Sequence, residues 1–211
     1  MKTILVLPAI MIPYLACAAP DFAQLKAAAE RGDAKAQFSL AGKYATGKPT
    51  EEKLERMAYW SRQAAEQGLP EAEYALGWIY ANGYGAQRNE AEARRWLAKA
   101  AKHNNNTAKL MLADMYYYGK GLSPLERLGP IRRASALKWY QNAADHGHHR
   151  AKMRAAYMYY AGQGTPKNYN RAVALWEQCA REGDPCAQRN IGWMYQEGKG
   201  LKQDQRKAVE W

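Results

Sequence analysis

Residues 72–85 read AEYALGWIYANGYG, and four other segments of the chain repeat this pattern in register. These segments are AQFSLAGKYATG (36–47), AKLMLADMYYYGKG (108–121), AKMRAAYMYYAGQG (151–164) and AQRNIGWMYQEGKG (187–200). Their leading alanines are separated by 36, 36, 43 and 36 residues. Five registered copies indicate a repeat architecture in which each unit packs on its neighbours, rather than one irregular core.

Each copy has the periodicity of a helix with one apolar face. Relative to the leading alanine at i, the apolar residue at i+4, the small residue at i+5 and the tyrosine at i+8 share that face. A glycine at i+11 suits the left-handed residue that ends a helix, and in four copies a second glycine follows two residues later to keep the turn open. The five tyrosines are predicted to lie in the core: Tyr44, Tyr80, Tyr116, Tyr159 and Tyr195.

A second pattern recurs between these segments, as WSRQAAEQG (60–68), WLAKAAKHN (96–104), WYQNAADHG (139–147) and LWEQCAREG (175–183). It predicts a second helix, so each unit is a helix-turn-helix hairpin whose apolar faces need neighbours. The predicted repeats are 33–68, 69–104, 105–147, 148–183 and an incomplete 184–211.

The LGWIYANGYG and WLAKAA blocks, at a 36-residue period, resemble the Sel-one-like repeat (SLR) family, a relative of the tetratricopeptide repeats. The resemblance covers about residues 22–211. It implies an all-α fold, a right-handed α/α superhelical solenoid, and a role as a scaffold that holds other proteins, often in the bacterial envelope. A cysteine-rich branch of the family links adjacent repeats by disulfides.

Three segments depart from the repeat pattern. Residues 19–32 are predicted to form an N-terminal capping helix, and residues 122–134 hold an insertion between the two helices of repeat 3. AVEW (208–211) matches ARRW (93–96), where a second helix begins. We therefore expect the chain to be a truncated form of a longer repeat array; completion of the exposed end by another molecule is the alternative.

The leader MKTILVLPAIMIPYLACAAP has one lysine, then an apolar run, then small residues. This is the layout of a secretory signal, which we assign to residues 1–18, with cleavage after Ala18 or Ala19. A lipid anchor on Cys17 is the alternative. We expect an exported protein, periplasmic or secreted.

Cys179 and Cys186 lie in WEQCAREGDPCAQ (176–188), one in the last turn of a predicted second helix and one in the first turn of the next helix. Two helix ends joined by a tight turn bring Cα atoms within disulfide range, and an exported chain meets oxidising conditions. We predict a Cys179–Cys186 disulfide. A redox couple, and a metal site with nearby histidines, are alternatives that the residues leave open; the histidines are His146, His148 and His149.

In the related tetratricopeptide solenoids the first helices line a concave surface, and the resemblance implies the same here. Two offsets of the repeat are predicted to face it: one gives Phe38, Tyr74, Leu110, Met153 and Arg189, the other Gly42, Trp78, Asp114, Tyr157 and Trp193. Exposed aromatic rings and arginine are typical interface anchors. The predicted partner-binding residues are Tyr74, Trp78, Asp114, Tyr117, Met153, Tyr157, Tyr160, Arg189 and Trp193.

No cofactor motif is present, and no residue cluster predicts catalysis. Ser135 and Lys138 match S-x-x-K, which bears on a penicillin-recognising or β-lactamase-like alternative because some members of the cysteine-rich branch are described in that way. No S-D-N or K-T-G accompanies the match, so we interpret it as accidental. The net charge of +11 admits an anionic envelope polymer, and hence a cell-wall-associated role, beside a protein or peptide partner. Nucleic acid is not expected for an exported chain, and membrane contact is expected only through Cys17.

Overall fold

The computed structural model describes residues 21–211, so the predicted signal peptide and Cys17 lie outside the described residues. Within 21–211 the secondary structure is helical, with no strand. The helices are α1 (Phe22–Glu30), α2 (Ala34–Ala45), α3 (Glu51–Glu66), α4 (Pro70–Asn82), α5 (Glu90–Lys102), α6 (Asn106–Tyr118), α7 (Pro124–Leu128), α8 (Ile131–Asp145), α9 (His149–Ala161), α10 (Tyr169–Arg181), α11 (Pro185–Glu197) and α12 (Gln205–Glu210). The predicted all-α fold of helical hairpins is confirmed.

The described chain divides into two compact units between Ala108 and Lys109. In the first unit, α2 packs on α3, α3 on α4, and α4 on α5. In the second unit, α8 packs on α9, α9 on α10, α10 on α11, and α11 on α12. In each unit one second helix, α3 in the first and α10 in the second, therefore lies between two first helices, which is how a hairpin covers the apolar face of the next.

The ends of the helices follow the sequence closely. At the start of eight helices a side-chain oxygen of the capping residue accepts a backbone N–H bond from the first turn. These capping residues are Asp33, Thr50, Asn89, Asn105, Ser123, Asn168, Asp184 and Asp204. Three first helices end at a left-handed glycine, namely Gly83, Gly162 and Gly198. Because these caps satisfy backbone groups that a helix leaves unpaired, each hairpin has defined boundaries.

The second glycine of the turn has a packing role that the sequence did not reveal. A Cβ on Gly85 would lie 1.9 Å from the carbonyl oxygen of Leu54, in α3 of the preceding repeat. A Cβ on Gly164 would lie 2.4 Å from the carbonyl carbon of Arg133, and one on Gly200 would lie 2.7 Å from that of Tyr169. At these three joints the turn therefore docks directly on the backbone at the start of the preceding second helix.

Of the five repeated tyrosines, Tyr159 is buried in the core as predicted, whereas the other four are half-buried and pack against the edge of the core of their unit. In three repeats a cation from the second helix, twelve residues later, faces the ring. The pairs are Arg56 over Tyr44 at 5.8 Å, Arg171 over Tyr159 at 5.4 Å and Lys207 over Tyr195 at 5.5 Å. The tyrosines thus join the two helices of a hairpin.

Two of the predicted departures have defined structures. The capping segment contains α1, which buries Leu25 and Ala29 in the core beside α2. The insertion forms the short helix α7, held by a capping box between Ser123 and Glu126. None of the helices described over residues 21–211 has the length and apolarity to span a membrane.

Candidate functional site

The two offsets predicted to face a groove differ in their exposure. The offset of Phe38, Tyr74 and Leu110 is buried in the first three repeats, becomes half-buried at Met153 and is exposed only at Arg189. Tyr74 itself is 4% exposed, so the prediction of an accessible ring there is wrong. The physical reason is that residues 72–77 of α4 are all buried where α4 packs between α3 and α5.

The other offset lies at the surface and reaches its greatest exposure in the second unit. Tyr157 on α9 is 46% exposed and Trp193 on α11 is 36% exposed. Tyr160, one turn beyond Tyr157, packs edge-on against Trp193 with ring centroids 5.3 Å apart. The Lys199 ammonium lies 4.6 Å from the centroid of the Trp193 ring. We call Tyr157, Tyr160 and Trp193 the aromatic surface.

Three other predicted binding residues are engaged inside their own units. Trp78 is half-buried and stacks on Tyr84, with centroids 5.1 Å apart. The carboxylate of Asp114 accepts a short hydrogen bond from the buried hydroxyl of Tyr140. Tyr117 lies against the ring of Tyr140 and beneath the Arg133 guanidinium, which is 4.0 Å from the centroid of its ring. The contacts of these three side chains are therefore made within the chain, and they stabilise the fold itself.

A buried polar position recurs that the sequence reading missed. The residue after the leading alanine is polar in every repeat and is buried in the first four: Gln37, Glu73, Lys109 and Lys152. In three repeats it meets the residue that ends the second helix of the same repeat. The pairs are Gln37 with Gln67 (2.8 Å), Glu73 with His103 (3.8 Å) and Lys152 with Glu182 (2.7 Å). The sequence did contain a signal for this position: a polar residue recurs between the leading alanine and the position of Phe38, Tyr74 and Leu110, both of which are buried in the first three repeats.

Replacing Glu73 with glutamine is expected to stabilise the protein by about 1 kcal/mol at pH 7. Burial raises the pKa of the Glu73 carboxyl, and its Oε2 atom has no hydrogen-bond partner. Ionisation of a carboxyl with a raised folded-state pKa costs stability above its unfolded-state pKa, and this cost disappears as the pH falls. Urea unfolding at pH 7 and pH 4 should therefore show a gain at pH 7 that shrinks at pH 4.

The exposed Glu66→Gln change is the control for the Glu73 measurement, and it should alter the unfolding free energy by less than about 0.5 kcal/mol. A loss of stability in Glu73→Gln at pH 7 would contradict the prediction. It would mean that attraction from His103 and Lys99 outweighs burial of the charge.

The fourth repeat extends the polar pair into a network. The Nδ1 atom of His149 lies 2.8 Å from Oε2 of Glu182, and its Nε2 atom lies 2.7 Å from Oδ2 of Asp184. The hydrogen bond to Glu182, and then that to Asp184, raise the pKa of His149. Hydrogen bonds from Lys152 and His149 lower the pKa of Glu182, and the His149 bond lowers that of Asp184. The network joins the start of α9 to the turn between α10 and α11.

The predicted disulfide is not formed in the structure, where Cys179 and Cys186 are both free thiols. Cys179 lies in the core of the second unit, 4.0 Å from the carbonyl oxygen of His149, whereas Cys186 is exposed on the first turn of α11. Their backbones are joined by a tight turn, but the two side chains enter different environments. Burial raises the pKa of the Cys179 thiol to about 11, so this group is protonated at neutral pH.

Ser135 and Lys138 lie on α8, where Ser135 is half-buried and Lys138 is exposed. A lysine that activates a serine nucleophile needs a desolvated ammonium close to the hydroxyl. The exposed side chain of Lys138 lacks that environment. The interpretation of this S-x-x-K match as accidental stays a prediction.

The repeats match known proteins along most of the chain. The family model described as the Sel1 repeat matches residues 34–69, 70–105, 107–148, 149–184 and 187–211. A Sel1 repeat protein from Oxalobacter formigenes has 31% sequence identity and a TM-score of 0.70, over 86% of this chain and 69% of its own. A protective antigen of uropathogenic Escherichia coli with an SLR fold has 26% identity and a TM-score of 0.66. That match covers 90% of this chain and 47% of the antigen. A comparison with curated proteins found no match.

Proposed function

This chain belongs to the Sel1 repeat family, whose members are generally protein-interaction scaffolds, and we propose that it binds a protein or peptide through the aromatic surface. The observation that carries the proposal is the exposure of Tyr157 and Trp193 on consecutive first helices, joined by the Tyr160–Trp193 contact. Large rings that keep part of their area in solvent are the side chains that most often anchor protein partners.

The surroundings of the aromatic surface favour a partner with acidic or hydrogen-bond-accepting groups. Arg189 is exposed one turn before Trp193 on α11, and the Lys199 ammonium lies over the Trp193 ring. The chain as a whole carries a net charge of +11. Cations around aromatic anchors steer an acidic partner to the surface and pair with it at the rim. A peptide with apolar and acidic residues fits this chemistry better than a basic one.

Export is part of the same proposal. It rests on the leader pattern of residues 1–18, a lysine followed by an apolar run and small residues. An exported scaffold would meet its partner in the periplasm or outside the cell. Fractionation of cells that express the full chain, with immunodetection of the processed form, tests this part separately from binding.

Site-specific photo-crosslinking tests the aromatic surface. With a photoreactive phenylalanine in place of Tyr157 or Trp193, irradiation should give a discrete crosslinked species. The same probe in place of Tyr59, which is exposed on a second helix, should not. The double variant Tyr157→Ala, Trp193→Ala should bind the crosslinked partner at least about thirtyfold more weakly while keeping its helical circular dichroism. Unchanged binding, or equal crosslinking from Tyr59, would contradict the proposal.

A further inference from the structure

The hairpin of repeat 4 has a combination of side chains that the equivalent positions of repeats 1 to 3 lack. His149 is the first residue of α9, Cys179 lies in the last turn of α10, and Glu182 follows α10 directly. The equivalent positions hold Ala34, Ala64 and Gln67 in repeat 1, Pro70, Ala100 and His103 in repeat 2, and Asn106, Ala143 and His146 in repeat 3. The other repeats pack without an imidazole, a thiol and a carboxylate together at these three positions, so packing of the repeats does not require this combination.

These three side chains converge. One ring nitrogen of His149, the sulfur of Cys179 and one carboxylate oxygen of Glu182 all lie within 4.8 Å of one another. Ligands around a tetrahedral zinc ion are roughly 3–4 Å apart, given bond lengths of roughly 2.0–2.3 Å. Small side-chain rotations would bring the three atoms to that spacing. Because α9 and α10 pack together and Cys179 is fully buried, the position of the thiol is fixed by the fold, and the more exposed side chains of His149 and Glu182 can adjust to it.

The groups around the three side chains have the arrangement of an outer shell. The Nε2 atom of His149 lies 2.7 Å from Oδ2 of Asp184, and its Nδ1 atom lies 2.8 Å from Oε2 of Glu182. With a metal ion between Nδ1 and Glu182, the N–H at Nε2 would still donate to Asp184. A carboxylate behind a histidine in this way orients the ring and increases its basicity toward a metal. Lys152 donates to Oε1 of Glu182 at 2.7 Å and leaves Oε2 as the coordinating oxygen.

We propose that His149, Cys179 and Glu182 bind a zinc ion, with water as the fourth ligand. The thiolate and imidazole favour zinc over magnesium or calcium, which prefer ligand sets made only of oxygen. The ion would tie the start of α9 to the end of α10, next to the turn that leads into α11. It would thus brace the hairpin of repeat 4, whose first helix carries Tyr157, beside the turn that leads into repeat 5.

Equilibrium dialysis of the reduced full chain against zinc, followed by metal analysis, tests the proposal. We expect one zinc ion per chain and a rise of at least about 5 °C in the thermal midpoint. Magnesium should give neither effect. Cobalt(II) bound in the same site should show thiolate-to-cobalt charge-transfer absorption, which reports sulfur coordination directly.

The repeats themselves supply substitutions that keep the fold. Cys179→Ala, Glu182→Gln and His149→Asn each introduce a residue that another repeat has at that position, so all three variants should remain folded without metal. Each should bind zinc at least about a hundredfold more weakly than the parent chain. Cys186→Ser, which removes the exposed thiol nearby, should bind as the parent does.

Two results would overturn the zinc site. One is zinc binding by Cys179→Ala that is as tight as that of the parent. The other is loss of binding in Cys186→Ser, which would assign the metal to the exposed thiol. Neither result depends on partner binding, so failure of the zinc site leaves the proposed aromatic surface to be judged on its own.

Discussion

Replacing Gly85 with alanine is expected to lower the free energy of unfolding by more than about 4 kcal/mol, enough to unfold much of the protein. Gly85 has a φ of +69°, where a side chain is strained. The larger cost is steric, because the added Cβ would lie 1.9 Å from the carbonyl oxygen of Leu54 and 2.7 Å from the amide nitrogen of Glu55. No rotamer change relieves a clash with backbone, so α3 and the turn would have to separate.

Gly68→Ala is the matched control for Gly85→Ala. Gly68 has a φ of +82°, but an added Cβ would meet no atom within 4 Å. Its loss should therefore be the strain alone, about 1–2 kcal/mol. Urea unfolding followed by circular dichroism measures both variants. Equal losses of unfolding free energy in the two variants would mean that glycine is needed at position 85 for its backbone conformation and not for the close contact with the preceding repeat.

The hairpins could be predicted because the information that specifies them is local. The alanine, tyrosine and glycine of one segment lie within twelve residues, and repetition in register removes the ambiguity that a single segment would leave. Helix starts are specified locally as well: Asp184 and Pro185, which begin α11, are residue types that favour the start of a helix. The position of the second glycine was predicted correctly, but its role was not: it packs against the preceding repeat and does not merely keep the turn open. The contact of Gly85 with Leu54 joins different repeats and has no local signature.

At the candidate sites, the main error of the sequence-based predictions concerned the direction in which side chains point. Cys179 and Cys186 were judged by the proximity of their backbones, whereas disulfide formation also requires side chains that point toward each other. Cys179 occupies a position that holds a buried alanine in the other repeats, such as Ala64 and Ala100, and it faces the core for the same reason. That alignment was visible in the sequence and argued against the pairing.

The aromatic surface was partly predictable. One offset identified Tyr157 and Trp193 correctly as exposed, because helical periodicity repeats faithfully from α9 to α11. The prediction of an exposed ring at the other offset was wrong for Tyr74, because the periodicity of one helix does not reveal how many other helices pack against it. The pairing of Lys152 with Glu182 spans 30 residues and was missed, although the same two positions are polar in every complete repeat.

Replacing Trp176 with alanine is expected to lower the free energy of unfolding by about 3–5 kcal/mol. Trp176 is 4% exposed on α10, and its ring lies 5.8 Å from that of Tyr160, the residue that packs on Trp193. The substitution leaves a cavity beneath the aromatic surface. The indole Nε1 atom has no hydrogen-bond partner, so the loss should come from packing rather than from a broken polar contact.

Trp176→Leu separates packing volume from the support of the aromatic surface. Leucine occupies the equivalent buried position in repeat 2, as Leu97, so this variant should fold and lose only about half as much stability as Trp176→Ala. Its smaller side chain removes the indole from its contact with Tyr160, which then keeps only Tyr169 and Trp193 as aromatic neighbours. We therefore expect Trp176→Leu to weaken binding of the crosslinked partner under conditions where the protein is fully folded. Binding equal to that of the parent would show that Tyr157 and Trp193 are positioned by their own helices and do not depend on the buried ring.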